Sequence, residues 1–279
     1  MTSAAPPPPS RVLIVGAGDV GLSLAGRLGA LGVDVTTLNR SGRSADGARA
    51  WRGDLADPAT LVDLPMADTV IFTTAPPGRG ESDYRLAYVD GPARILAALP
   101  SMPDRLVLTS TTGVYGVDDG SWVDETSPTE PSRASAAVVV EGERRLTGQA
   151  TTTVIVRPAG IYGPGRGSLL ERVRAGEEPV SSDGTPRWTN RVHRDDVVGA
   201  LLVAATHPTP SHVLIAVDDE PAPRDDVIRH LVARLDAPRP STIDVPSPTG
   251  KRCRNAALRA LGWEPQYPTY REGYDALLR

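Results

Sequence analysis

Cysteine is almost missing from this chain, with Cys253 alone among 279 residues. One thiol excludes an intrachain disulfide and any metal site built on clustered thiolates, and it suits a reducing compartment. Lysine is just as scarce: Lys251 is the only one, so the cationic chemistry is almost all arginine. Long apolar runs are lacking as well. The longest, Val197 to Ala205, is broken by Gly199 and falls far short of the roughly 20 residues a membrane span requires. Residues 1–10, with Pro6 to Pro9, have neither the basic nor the apolar region of a secretion signal and read as a disordered proline-rich tail, so a cytoplasmic protein is expected. Excess charge of one sign is absent too. Thirty basic residues against 34 acidic ones give a net charge of −4, which offers nucleic acid or anionic lipid no general attraction. The four histidines, His193, His207, His212 and His230, match no ligand spacing, and no G-x-S-x-G elbow occurs. Neither a metal nor a serine-hydrolase site is expected.

Against these absences stand 40% hydrophobic and 23% charged residues, the balance of a packed globular protein. The apolar residues fall into alternating strand and helix patterns. Strands are expected at Arg11–Val15, Val33–Leu38, Ala48–Gly53, Asp68–Thr74, Arg105–Thr109, Thr152–Val156 and Val213–Val217. Helices are expected through Leu22–Leu31, from about Asp57, and at Asp83–Leu99, Ser132–Gln149, Leu169–Ala175, Asp195–Thr206, Arg224–Leu235 and Asn255–Leu261. Such repetition predicts an α/β protein with a Rossmann-type, doubly wound parallel sheet and a small C-terminal substrate-binding or cap region. The expected division is a tail at 1–10, a dinucleotide-binding core at 11–160, and a cap at 161–279 with elements returning to the core. Tyr267 to Tyr274 reads as a strap packing on that cap.

The first strand runs into Gly16-Ala17-Gly18-Asp19-Val20-Gly21, a G-x-G-x-x-G pattern that opens a helix. Gly16 allows the tight turn, Gly18 lets backbone approach a pyrophosphate, and Gly21 lets helix and strand pack closely. NAD-specific sites carry an acidic residue at the end of the second strand. Here that strand ends in Asn39-Arg40-Ser41, with Arg43 beyond, and a guanidinium and a hydroxyl suit the 2′-phosphate of NADP. NADP is therefore the expected cofactor, with NAD as the alternative that Asn39 alone would accommodate.

Further segments resemble the extended and atypical short-chain dehydrogenase/reductase superfamily, the NAD-dependent epimerase/dehydratase family. Gly53-Asp54-Leu55 resembles its GDL turn beside the adenine, and Thr73-Thr74-Ala75-Pro76 its loop after the fourth strand. Ser110-Thr111-Thr112-Gly113-Val114-Tyr115-Gly116 resembles SS-x-x-VYG, Arg157-Pro158-Ala159-Gly160-Ile161-Tyr162-Gly163-Pro164-Gly165 resembles RP-x-x-IYGPG, and Arg191–Val197 resembles IHVDDV. The resemblance implies cofactor contacts from Gly16, Gly18, Asp19, Val20, Gly21, Asn39, Arg40, Ser41, Asp54, Leu55, Thr74, Ala75, Pro76, Thr109 and Pro158. It also implies a small-molecule substrate, of carbonyl or nucleotide-sugar type, and a homodimer through the helices at Asp83–Leu99 and Ser132–Gln149.

The family's chemistry rests on a Tyr-x-x-x-Lys pair, in which the ammonium lowers the tyrosine pKa. No tyrosine here precedes a lysine by four residues. Counting back from Glu143, the tyrosine position holds Ser135 and the lysine position Val139. Thr111, Tyr115, Tyr162 and His193 are then the candidates for donating or moving a proton. Two outcomes follow: an oxidoreductase or epimerase/dehydratase-like enzyme with non-standard catalytic residues, or a catalytically silent NADP(H)-binding sensor. Arg166, Arg172, Arg174 and Arg187 lie in the stretch expected to line the cleft and would suit an anionic ligand.

Overall fold

A computed structural model describes residues 9–208 and 210–279; most of the proline tail lies outside them. The expected apolar strands assemble into a seven-stranded sheet: β1 (Arg11–Val15), β2 (Asp34–Asn39), β3 (Arg49–Arg52), β4 (Thr69–Phe72), β5 (Arg105–Thr109), β6 (Thr152–Pro158) and β7 (Val213–Ala216), in spatial order β7-β6-β5-β4-β1-β2-β3. The pairs β1–β2, β1–β4, β2–β3, β4–β5 and β5–β6 are all parallel. Val12 to Val15, Val70 to Phe72 and Leu106 to Leu108 are buried on both faces, as unbroken apolar strands covered by helices must be. At the margin, β3 is short and largely exposed, with an arginine at each end.

Chain contacts separate into two compact units. The first holds most of the sheet: among the described residues, 9–114, then Thr129–Arg157, 198–208 and 210–214. Its helix α1 (Asp19–Ala30) buries Val20, Gly21, Leu24, Ala25 and Leu28, one face of a 3.6-residue period. The helix expected over Asp83–Leu99 forms in three pieces: α2 (Glu81–Arg85), a wider π-type turn at Leu86–Asp90, and α3 (Gly91–Ala98). Pro92, in the first turn of α3, has no amide to continue the preceding ladder, which accounts for the interruption. Helix α4 (Ala134–Leu146) buries Val138, Val139 and Val140.

The second unit comprises Tyr115–Pro128, Pro158–Val197 and Ile215–Arg279. Helices α5 (Ser168–Arg174), α7 (Arg224–Leu235), α8 (Ala256–Ala260) and α9 (Tyr270–Leu277) accompany strand pairs of two or three residues, and α6 (Arg194–Thr206) and β7 run across the boundary. The C-terminal strap is a helix for most of its length. Thr269 caps α9 by accepting from Arg271 N, and Glu272 completes a capping box. Tyr162, Leu170, Val173, Val227, Leu231, Tyr270 and Tyr274 belong to one buried hydrophobic cluster of this unit.

Candidate cofactor and substrate site

In the first unit, Val15 at the end of β1 lies beside Phe72 at the end of β4. Chain order reverses here, with β2 on one side of β1 and β4 on the other, and doubly wound sheets hold ligands beyond the carboxyl ends of their strands at this kind of switch. Gly16 has φ +103°, and a Cβ on it would sit 2.8 Å from Thr74 N. A Cβ on Gly21 would lie 2.1 Å from the Gly16 carbonyl oxygen, so α1 begins directly against the turn. Thr73 Oγ1 donates to Gly16 O at 2.5 Å and Thr74 Oγ1 to Ala87 O at 3.0 Å, fixing the facing loop. Gly18 differs. It is the N-cap of α1 with no side chain to meet the first-turn amides, and a Cβ on it would touch nothing within 4 Å. Open space therefore lies where the positive end of the helix points, which is the cradle a diphosphate requires. Asp19 Oδ1 accepts from Val20 N at 2.9 Å. At the end of β5, the buried Thr109 hydroxyl has no hydrogen-bond partner in the protein. The open cradle and this orphaned hydroxyl fit a dinucleotide laid across the carboxyl edge of the sheet.

Asn39 closes the loop after β2. Its Oδ1 accepts from Ser41 Oγ at 2.8 Å and Arg43 N at 3.0 Å, and its Nδ2 donates to Arg43 O at 2.7 Å. Its amide is thus committed to the loop, a role the sequence reading did not give it. Arg43 Nε rests on Ser41 Oγ at 3.1 Å, while Arg40 and Arg43 are exposed and join no ion pair among the described residues. In the GDL turn, Asp54 Oδ1 accepts from Ala56 N at 2.9 Å and Leu55 O accepts from Arg94 Nη1 at 2.5 Å.

A buried network went unread in the sequence. Ser110 Oγ donates to Glu143 Oε1 at 2.5 Å, and Arg157 holds the same carboxylate through Nε at 3.0 Å and Nη2 at 2.6 Å. All three are buried, and together they bolt the ends of β5 and β6 to α4. Glu143 served only to mark register along the helix; no periodicity signals its partners.

Of the proton-transfer candidates, Thr111 belongs to the first unit, where its Oγ1 accepts from Gly113 N at 3.0 Å. The other three lie in the second. Tyr115 is 1% exposed, and its carbonyl accepts from Lys251 Nζ at 2.7 Å. Tyr162 and His193 are brought together by parallel pairing of Gly160–Tyr162 with Arg191–His193. The Tyr162 hydroxyl is buried against Gly273, where a Cβ would be 1.7 Å away, and its ring stacks on Tyr274 at 4.5 Å. Burial, with Asp218 nearby, pushes that phenol well above its ordinary range. His193 Nδ1 accepts from Asp195 N at 3.2 Å at the start of α6, its ring lies 4.0 Å from that of Tyr267, and burial lowers its pKa. Asp196 accepts from Gln266 N at 2.6 Å and Tyr267 N at 3.2 Å, anchoring the strap. Of the four arginines, Arg172 pairs with Glu178 and Arg187 with Asp225. Asp218, absent from the sequence reading, is 2% exposed with neither carboxylate oxygen hydrogen-bonded, and burial pushes it up to about 8.

Residues 12–216 match the NAD dependent epimerase/dehydratase family. The chain belongs to that family. A relative from a Streptomyces species named 3-diazoavenalumate denitrifying reductase is 28% identical, covering 94% of this chain and 98% of its own. A solved structure described as a NAD-dependent epimerase/dehydratase from Methylobacillus flagellatus superposes with a TM-score of 0.84 at 32% identity, covering 96% of this chain and 97% of that one. MoeE5, solved in complex with UDP-glucose and NAD, gives 0.75 at 25% identity over 96% and 98%. On α4, Ser135 is half-buried and Val139 is 1% exposed. No helix among the described residues is long and apolar enough to cross a membrane.

Proposed function

We propose that this chain is a nicotinamide-dependent reductase, with NADP preferred, whose small-molecule substrate takes up hydride without a proton from the protein. The carrying observation is Ser135 and Val139 on α4 in place of the tyrosine and lysine, in a chain whose sole lysine is Lys251. A carbonyl needs a proton as well as a hydride, and a serine hydroxyl is too weak an acid to supply it at neutral pH unaided. A reduced nicotinamide supplies hydride when bound. The residues present would do the rest. Gly16, Gly18 and Gly21 with the start of α1 would hold the diphosphate, Arg40, Ser41 and Arg43 the 2′-phosphate, and Thr109 would offer its hydroxyl at the sheet edge.

An arenediazonium is a substrate class that meets the condition. Its carbon–nitrogen bond breaks, neutral dinitrogen leaves with the electron pair, and the hydride's hydrogen and two electrons become the new carbon–hydrogen bond. The substrate's positive charge cancels the hydride's negative one, so no proton is consumed. The reductase name of the Streptomyces relative supports this choice and favours catalysis over the silent-sensor alternative.

The test mixes the protein with NADPH deuterated at C4 and 4-carboxybenzenediazonium, against a protein-free control. Expected products are ring-deuterated benzoate and dinitrogen, at a rate nearly flat from about pH 6 to 8. Turnover of simple carbonyls or UDP-glucose with the diazonium inert would overturn the substrate class. In calorimetry, Arg40→Ala should weaken NADPH about tenfold and leave NADH unchanged, in keeping with one lost charge-assisted contact.

A further inference from the structure

A group of charged and aromatic side chains in the second unit plays no part in that chemistry. Strand Trp122–Val123 pairs in parallel with Arg252–Cys253, and Arg187–Thr189 pairs with Thr249–Gly250. These two ladders bring two tryptophans onto one guanidinium: Arg252 Cζ lies 4.9 Å from the Trp122 ring centroid and 4.7 Å from that of Trp188. Arg254 Cζ lies 4.4 Å from Trp122. The sequence holds three cations within Lys251–Arg254.

The segment that carries the arginines is fixed in place. Asn190 Nδ2 donates to Lys251 O and Asn190 Oδ1 accepts from Cys253 N, both at 2.8 Å, and Gly250 N donates to Asp118 Oδ1 at 2.6 Å. Gly250 turns with φ +80°, and a Cβ there would be 2.0 Å from Trp188 O, so only glycine lets the segment pass. Arg252 Nε donates to Gly120 O at 2.7 Å, which sets the guanidinium's orientation and leaves its two terminal nitrogens.

The acids of the neighbouring loop do not answer these arginines. Asp118 is spent on Gly250 N, Asp119 on Ser121 N, Asp124 on Thr126 and Ser127, and Glu125 on Ile215 N. Among the described residues neither Arg252 nor Arg254 forms an ion pair, while Trp122 is 43% exposed and Arg254 is exposed. A guanidinium laid on an aromatic face keeps its in-plane N–H donors for other partners, and two such planar forks match the oxygens of a carboxylate or phosphate.

We propose that Arg252 and Arg254, oriented by Trp122 and Trp188, form a recognition site for the oxyanion of a small molecule. The site stands independently of the redox chemistry above. Isothermal titration of the full chain in the presence of NADP+, which occupies Arg40 and Arg43, tests it with sodium benzoate in one arm and inorganic phosphate in the other. Saturable binding in either arm, weakened at least tenfold by Arg252→Ala and by the exposed Arg254→Ala, is the expected result, and the responding arm separates carboxylate from phosphate. Arg254→Ala should keep the wild-type melting temperature, so it decides the matter even where Arg252→Ala unfolds. No saturable heat in either arm, or undiminished binding by Arg254→Ala, overturns the proposal.

Discussion

Asp218 couples the second unit's stability to pH. Burial raises its carboxyl to about 8 in the folded chain, whereas an unfolded aspartate titrates near 3.9. Between about pH 4 and 8 the native state therefore holds a proton the unfolded state has released, so stability falls as pH rises through that window. The slope is about 1.4 kcal/mol per pH unit while it lasts. Burial is the dominant influence on Asp218; beside it, Arg191 favours the charge and Asp219 opposes it. Asp218→Asn should abolish the slope and leave the variant more stable than wild type at pH 8. Urea titrations at half-unit intervals from pH 5 to 9 would show it, and parallel slopes for the two proteins would refute it.

At the scale of elements, the start of α1 separates two jobs that the glycine pattern merges. Gly21 is pressed against the Gly16 carbonyl, so Gly21→Ala should push the helix off the turn, lowering both the melting temperature and cofactor affinity. Gly18 faces open space at an ordinary φ. Gly18→Ala should leave the free protein's melting temperature little changed yet weaken NADPH at least tenfold, since the methyl group occupies the approach to the helix amides. Equal losses of stability in the two variants would contradict this division. The same turn shows why the fold was legible in the sequence. A buried β1, a glycine turn and an amphipathic α1 are local patterns, each written in consecutive residues. The break at Pro92 was legible in principle, because a proline within a helical run carries its own warning, and so was Thr269-Tyr270-Arg271-Glu272, whose capping box announces α9. What sequence did not disclose depends on partners far along the chain. Glu143 meets Ser110 and Arg157 only once α4 lies on the sheet, Asn39 spends its amide on a loop that must first close, and Asp218 is perturbed only once folding buries it near Arg191.

For the molecule as a whole, the cofactor should act as a folding ligand. A dinucleotide that binds the native first unit at about 100 times its Kd adds roughly 2.7 kcal/mol, worth on the order of 5–10 °C in a chain of this size. Differential scanning fluorimetry with NADPH, NADH and no cofactor is expected to rank the melting temperatures in that order, NADPH highest. A larger shift with NADH would reverse the assignment of Arg40 and Arg43. The outer strand β3 has a different consequence for the intact molecule. An edge strand exposes unpaired amides and carbonyls that invite another chain to zip on. Arg49, held by Asp34 at 2.7 Å, and Arg52 stand at the two ends of that margin. A strand arriving from a second molecule would have to strip water from both guanidinium groups, so the sheet ends in an electrostatic fence that discourages fibrous growth.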